Sequence, residues 1–285
     1  MDKKKVYSTW FLVPSLVVFI VLFIIPMILS LFFSLTVWNF DGFTFCGLDN
    51  FKIFLTEPSL RIGIKNTLIY AILTAGLKVL VAFFIAVFLT SSIRTKNLQR
   101  SIIFFPNLVS TIAVGITFTA LMHPSKGVIN SFLSLFGFGG IDWLGNVKFA
   151  LFSVVAVDVW KGLGIATVIY MAGIQSIDKT YYEAASVDGA TPWQRLKNIT
   201  IPLSRPAMNS VIILSFIGGL RSFDLIWSMT GGGPGFATDV VASVIYKQYA
   251  AGFYGLSTAG NVIMFLLIAA LVFPLQRYLL SKEVE

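Results

Sequence analysis

The sequence predicts an all-α polytopic membrane protein with six transmembrane helices, both termini cytoplasmic, and a short cytoplasmic helix pair between spans four and five. Three observations predict it. Of 285 residues, 56% are hydrophobic and only 12% charged, with a mean hydropathy of +0.85. Apolar segments at about 11–35, 67–89, 102–122, 149–174, 207–230 and 258–280 each approach the roughly 20 residues needed to cross a hydrocarbon core about 30 Å thick. The net charge of +8 sits in short basic segments beside those runs, which is the positive-inside pattern. Composition overrules the prior of about two soluble domains for this length.

The first run follows Lys3, Lys4 and Lys5. It is too long for the apolar core of a signal peptide and has no small-x-small cleavage site behind it, so an uncleaved span is expected. Pro14 and Pro26 place a kink in it. With the N-terminus inside, 12 Lys and Arg lie on the inner side (among them Arg94, Lys96, Arg100, Lys179, Arg195 and Lys197), 6 on the outer side and 3 within spans. Residues 180–206 are then cytoplasmic.

Between spans one and two, Trp38 to Phe43 and Gly47 to Phe51 read as an external segment of aromatics and turn residues at the membrane interface. Span two carries Lys78 near its middle and Asn66-Thr67 at its outer end. Span three opens with Phe105-Pro106-Asn107, where proline leaves backbone carbonyls free for a polar partner. Residues 124–143 are external and Gly-rich, and His123, alone at a span end, reads as interfacial.

Span four contains Asp158, Trp160 and Lys161, and span five contains Arg221, Phe223, Asp224 and Trp227. A charge at the bilayer centre costs about 2.5–3.5 kcal/mol on insertion scales, so these side chains should face the bundle or water. Asp158 with Lys161, and Arg221 with Asp224, are three apart and can each share a helix face. Intrahelical neutralisation and a role in a polar pathway are both open readings. The loop from Thr230 to Gly235 is glycine-rich but lacks the Gly-Lys-Ser/Thr ending of a phosphate loop. Cys46 is the single cysteine, which excludes an internal disulfide and thiol-pair metal motifs. No acid–base or metal constellation marks the chain as a catalyst, and no metal site is expected.

The polar island at 180–206 carries the strongest signal. Thr180 and Glu183 form a capping-box pattern, which predicts a helix from Tyr181. Asp188-Gly189 supplies a residue that tolerates positive φ where that helix stops. Thr191-Pro192-Trp193-Gln194 starts a second helix, and Pro202 and Pro206 are expected to end it near Ile199. Helices this short are marginal alone and need a partner surface. Ala184 and Ala185 allow another backbone to come close, with Glu183, Asp188, Arg195 and Lys197 at the rim. A DNA-binding helix-turn-helix is set aside, because the segment lies between membrane anchors and mixes charges of both signs.

Glu183-Ala184-Ala185, three residues, Gly189, nine residues and then Ile199-x-Ile201-Pro202 resembles the EAA signature of permease subunits of ATP-binding-cassette importers, with Ile201 where Leu is usual. The runs Gly47-Leu48-Asp49-Asn50-Phe51, Asn130 with Trp143-Leu144-Gly145, and Thr230-x-Gly-Gly-Pro with Thr238 resemble carbohydrate-importer permeases of the maltose and glycerol-phosphate type. The large extra external domain of some maltose permeases is absent.

The resemblance implies a single permease domain over 1–285 in a bacterial plasma (inner) membrane. In it the EAA loop, with Glu183, Ala184, Ala185, Asp188 and Gly189, docks in a cleft of a separate ATPase. It implies two ATPase subunits, a second and different permease, an extracytoplasmic solute-binding protein and membrane lipid as partners, with no nucleic acid. No cofactor is expected on this chain, and ATP and Mg are expected on the ATPase. Asp158, Trp160, Arg221, Asp224 and Trp227 are candidate solute contacts, since aromatic rings stack on sugar faces and charged groups bond hydroxyls. Importers of another polar solute, and secondary transporters, are the alternative readings.

Overall fold

The computed structural model describes residues 9–39, 42–91 and 95–282. The N-terminal lysines and Arg94 of the charge argument lie outside the described residues. Chain contacts group into two compact units, one of residues 1–57 with 245–266 and one of 58–244 with 267–285.

The first unit begins with α1 (Trp10–Ser34), and none of its most apolar 18-residue stretch is buried. Proline lacks an N–H and its ring presses on the carbonyl four residues back. Ahead of Pro26 the helix widens into a π turn over Ile20–Ile24, closed by a bond from the Ile25 N–H to the Ile20 carbonyl.

Two strands follow where only helix and loop were expected, so the fold is mostly but not entirely α. In β1 (Thr36–Asn39) and β2 (Gly42–Phe45), Thr36 pairs with Phe45, Val37 with Thr44 and Trp38 with Phe43. Alternating β-branched and aromatic residues favour such a pleated pair, and Asn39 Oδ1 accepts from the Gly42 N–H at 3.0 Å. The amphipathic α2 (Asp49–Thr56) buries Phe54 completely. Its Asn50 donates to the Ser34 and Thr36 carbonyls at 3.0 and 2.8 Å, which fixes the hairpin's root.

The second unit is built on α3 (Pro58–Thr90). It continues through α4 (Lys96–Leu108), α5 (Thr111–Leu121), α6 (Val128–Ser134), α7 (Ala150–Gln175), α8 (Lys179–Val187), α9 (Pro192–Leu203), α10 (Arg205–Leu220) and α11 (Asp224–Thr230). Two helices, α12 (Val241–Ala250) and α13 (Tyr254–Ser281), end the chain. Between membrane helices lipid removes the hydrophobic drive, so close van der Waals packing of small residues takes over. Ala82 and Ala86 of α3 are fully buried against Ala166, Tyr170 and Ile174 of α7 and Val211 of α10. A second cluster joins Tyr70 to Val154 and Val157 of α7 and to Leu225 and Ile226 of α11. The outward residues Leu77, Leu80, Phe84 and Phe88 are exposed, as lipid-facing positions should be.

Among the described residues four helices, α1, α3, α7 and α13, are long and apolar enough to cross a membrane, and two bent pairs raise the number to as many as six. The expected third span is one of those pairs. Val109 and Ser110 are extended, and α4 and α5 meet at 97°. The fifth also departs from one continuous rod: α10 follows α9 after a 68° bend and stops at Leu220, and α11 begins at Asp224. Gly218 and Gly219, poor helix formers, precede that break.

Candidate functional site

The polar island forms two short helices held together by their own side chains. The N-cap of α8 is Asp178, whose Oδ1 accepts the Thr180 N–H at 3.0 Å. This corrects the expected Thr180–Glu183 box and start at Tyr181: an aspartate two residues upstream is the better acceptor for the first free N–H. The hydrogen bond holds the exposed Asp178 carboxyl below its ordinary value. Glu183 is thereby released from capping. It is exposed and makes no hydrogen bond or ion pair among the described residues.

The end of α8 is a Schellman turn. The Ala190 N–H donates to the Ala185 carbonyl at 2.8 Å and the Gly189 N–H to Ser186 at 3.2 Å, with Gly189 at φ +75°. Thr191 and Gln194 form the expected capping box of α9. That helix does not end near Ile199. A second π turn, Leu196–Thr200, carries it through Ile201-Pro202 to Leu203, as the first π turn does before Ile25-Pro26.

Tyr182 and Thr200 share a hydrogen bond of 3.0 Å, and Arg195 donates to Ser186 Oγ at 3.0 Å. These clasp α8 to α9, so Arg195 is bracing rather than a free rim charge. Ala184, Asp188 and Gly189 are exposed and Ala185 is half-buried. Around them Tyr181, Val187 and Trp193 are exposed, Val187 at 89%. Reading for charge and small residues alone overlooked this apolar rim, although aromatic and β-branched residues in so polar a segment were its signal.

The charged residues inside the helices are arranged differently from the two intrahelical pairs. Asp158 bonds Lys78 of α3, Nζ to Oδ2 at 2.7 Å, and not Lys161 one turn along α7. Gly162 makes room: a Cβ there would stand 2.9 Å from the Lys78 nitrogen. Tyr70 is fully buried, with its hydroxyl near Asp158 and Ser222 and in direct hydrogen bond with neither. Sequence spacing cannot show a partner 80 residues away.

Arg221 and Asp224 also fail to share a helix face, because Arg221 caps the end of α10 and Asp224 opens α11. Both are exposed, and Phe223 and Trp227 stack at 5.7 Å with an interplanar angle of 21°. Trp160 is 41% exposed and lies 5.2 Å from Phe118. Non-helical backbone at membrane depth is tolerated only against protein or a water-filled path, which gives residues 221–223 their interest.

On the opposite side of the chain's long helices, Asn66 holds the glycine-rich loop. Its Nδ2 donates to the carbonyls of Phe236, Ala237 and Asp239 at 3.3, 3.0 and 2.9 Å. Thr238 Oγ1 bonds Thr230 Oγ1 and the Gly233 carbonyl, both at 2.7 Å. Asn130 is likewise structural: it bonds the carbonyls of Pro124 and Ile141 and accepts from Trp143 Nε1 at 2.9 Å. His123 Nδ1 accepts backbone N–H groups of Ser125 and Lys126.

Residues 78–283 match the family described as binding-protein-dependent transport system inner membrane component. The trehalose/maltose transport system permease protein MalF of Thermococcus litoralis is 32% identical over 259 residues, covering 90% of this chain and 88% of that one. The multiple sugar-binding transport system permease protein MsmF of Streptococcus mutans is 29% identical, covering 99% and 97%. Among solved structures, a chain of a bacterial ABC transporter involved in import of the acidic polysaccharide alginate superposes with a TM-score of 0.83 at 23% identity, over 95% of this chain and 94% of that one. The same transporter type has been solved with an alginate pentasaccharide-bound periplasmic protein, also at a TM-score of 0.83.

Proposed function

The chain belongs to the binding-protein-dependent transport system inner membrane component family, and from that premise we propose how its parts divide the work of import. It is a multi-pass inner-membrane protein, the permease subunit of a sugar importer of the ATP-binding-cassette class. In this reading its single permease domain over 1–285 forms half of the translocation path, a second and different permease forms the other half, and both termini and α8–α9 face the cytoplasm. Two ATPase subunits carry ATP and Mg, so this chain binds no cofactor and hydrolyses nothing itself.

The observation that carries the coupling role is the clasped α8–α9 element, with its exposed apolar rim around an unpaired Glu183. Val187 and Trp193 bury against an ATPase cleft, Ala184 and Ala185 let the backbones approach, Asp188 and Gly189 shape the turn, and Glu183 meets a basic group. ATP binds tightly only to the closed ATPase pair, and a ligand shifts an equilibrium by its differential affinity for the two states. Closing therefore pulls α8, and the rigid clasp passes the displacement to α7 and α10.

Sugar passes the exposed Trp160, Arg221 and Asp224 and the half-buried Trp227, where ring faces and charged donors and acceptors suit a polyhydroxylated solute. Asp158 contributes as the Lys78 pair and not as a free carboxylate. The outer loop at 230–239 meets the solute-binding protein. The test is uptake of a panel of labelled sugars by proteoliposomes holding the two permeases, the ATPases and the cognate binding protein. Sugar accumulation that needs ATP and stops with Glu183→Lys is expected. Accumulation driven by an ion gradient without the ATPases would overturn the reading.

A further inference from the structure

We propose that the groove between α4 and α7 binds one anionic phospholipid of the cytoplasmic leaflet, its phosphate held by Arg100. The groove has a volume of about 460 Å³ and is lined by Arg100, Ser101, Phe104, Val168, Ala172 and Gln175 among others. Its composition is that of an amphiphile's site: a cation and two neutral polar groups at one end, aromatic and aliphatic walls along the rest. Val168 is 49% exposed, and Ile102 and Phe105 nearby on α4 are each 61% exposed, so the trough opens on the outer surface of the chain.

Arg100 lacks any counter-ion of its own. Its buried Nε has no hydrogen-bond partner, and no ion pair forms at it among the described residues. From residue 58 to residue 141 the chain has no Asp or Glu, and α7 has none beyond Asp158. A guanidinium at a membrane helix with no internal acid is complementary to a phosphate, and basic pockets between membrane helices on the cytoplasmic side are suited to anionic head groups. Exposed Lys96, one helical turn before Arg100, adds a second positive charge on that face.

The floor of the groove is fixed by close packing. A Cβ at Gly164 would lie 2.9 Å from the Ile103 carbonyl oxygen and 2.9 Å from Phe104 Cα, so only glycine lets α4 seat this deeply on α7. The acyl chain then runs past Phe104, Val168 and Ala172 while Ser101 and Gln175 bond the glycerol region. This goes beyond general solvation by lipid: it names one site, one head-group charge and one anchoring side chain. It rests on the inward orientation proposed above.

The test uses the whole purified transporter in nanodiscs of equal phosphatidylglycerol and phosphatidylcholine, followed by native mass spectrometry of the released complex. Wild type should retain phosphatidylglycerol in preference to phosphatidylcholine. Arg100→Gln should lower retention about fivefold, the effect of one positive charge at a membrane surface. Ala172→Trp, which fills the trough, should lower it as well, and free glycerol phosphate should not compete. Equal retention by wild type and Arg100→Gln, equal retention of both lipids, or full competition by glycerol phosphate overturns the proposal. A photo-crosslinking amino acid at position 172 tests occupancy without touching Arg100: adducts to lipid are expected, and adducts to a neighbouring subunit overturn it. Orientation is read separately with Ser101→Cys in a Cys46→Ser background. Labelling from outside would sink the inward placement itself, whereas a failed lipid comparison would leave that placement standing.

Discussion

Lys78 Nζ lies 2.7 Å from Asp158 Oδ2, an ion pair that ties α3 to α7 and is largely shielded from solvent, with the two side chains 11% and 21% exposed. Removing one member of such a pair strands the other charge. Asp158→Asn should destabilise the protein by about 3 kcal/mol, whereas Lys78→Met with Asp158→Leu should cost much less than the two single changes added. Thermal unfolding of the four proteins in detergent decides the matter, and simple additivity would mean that the pair carries no coupling.

Gly189 has open space around it and φ of +75°, so a side chain there meets backbone strain and no clash. Gly189→Asn should support transport, since Asn tolerates this region. Gly189→Val should cost about 1–2 kcal/mol in the turn and abolish uptake while membrane insertion persists. ATP-dependent uptake beside a membrane-fraction blot separates these outcomes.

Asn66 alone gathers three carbonyls of the loop at 236–239. Asn66→Ala leaves them without that donor, at about 2 kcal/mol, or roughly a 30-fold rise in local opening. Hydrogen exchange over residues 237–241 should accelerate by that order while α7 is unchanged.

Asp178 is held below its ordinary carboxyl value by the Thr180 N–H. A lowered folded value means that the cap stabilises α8 fully above the ordinary value of 3.8 and is lost as pH falls below it, through the folded value. The Thr180 amide resonance should therefore titrate in that acid window. In Asp178→Asn, which caps without ionising, it should stay still.

Legibility followed the range of the physics. Long apolar runs set the helices α3, α7 and α13 within a turn or so at most ends, because bilayer thickness is a local length requirement. Gly189 and the Thr191–Gln194 box were readable because turn and cap chemistry act over four or five residues. The cap at Asp178 was misplaced because two carboxylates, Asp178 and Glu183, competed for the Thr180 N–H and the one that took it lay just outside the motif. The break at 109–110 hardly alters hydropathy, and at 221–223 the polar Arg221, Ser222 and Asp224 read equally as charges within one span. The Lys78–Asp158 pair, the Asn66 clamp and the Tyr182–Thr200 bond join distant segments, and no spacing rule reaches them. The hairpin at 36–45 was visible as alternation but was masked by its aromatic content, which equally suits an interface.

The π turn at Leu196–Thr200 amounts to one extra residue wound into the rod that leaves α8. An ordinary α-helix advances about 100° per residue. Winding the same residues as regular α-helix, with none removed, would swing Arg195 and everything before it through about that angle relative to α10. The docking face would then look sideways and the Tyr182–Thr200 bond would part while the caps at its tip stayed intact, so the phase of this rod, as much as the chemistry at its tip, decides whether movement reaches the membrane.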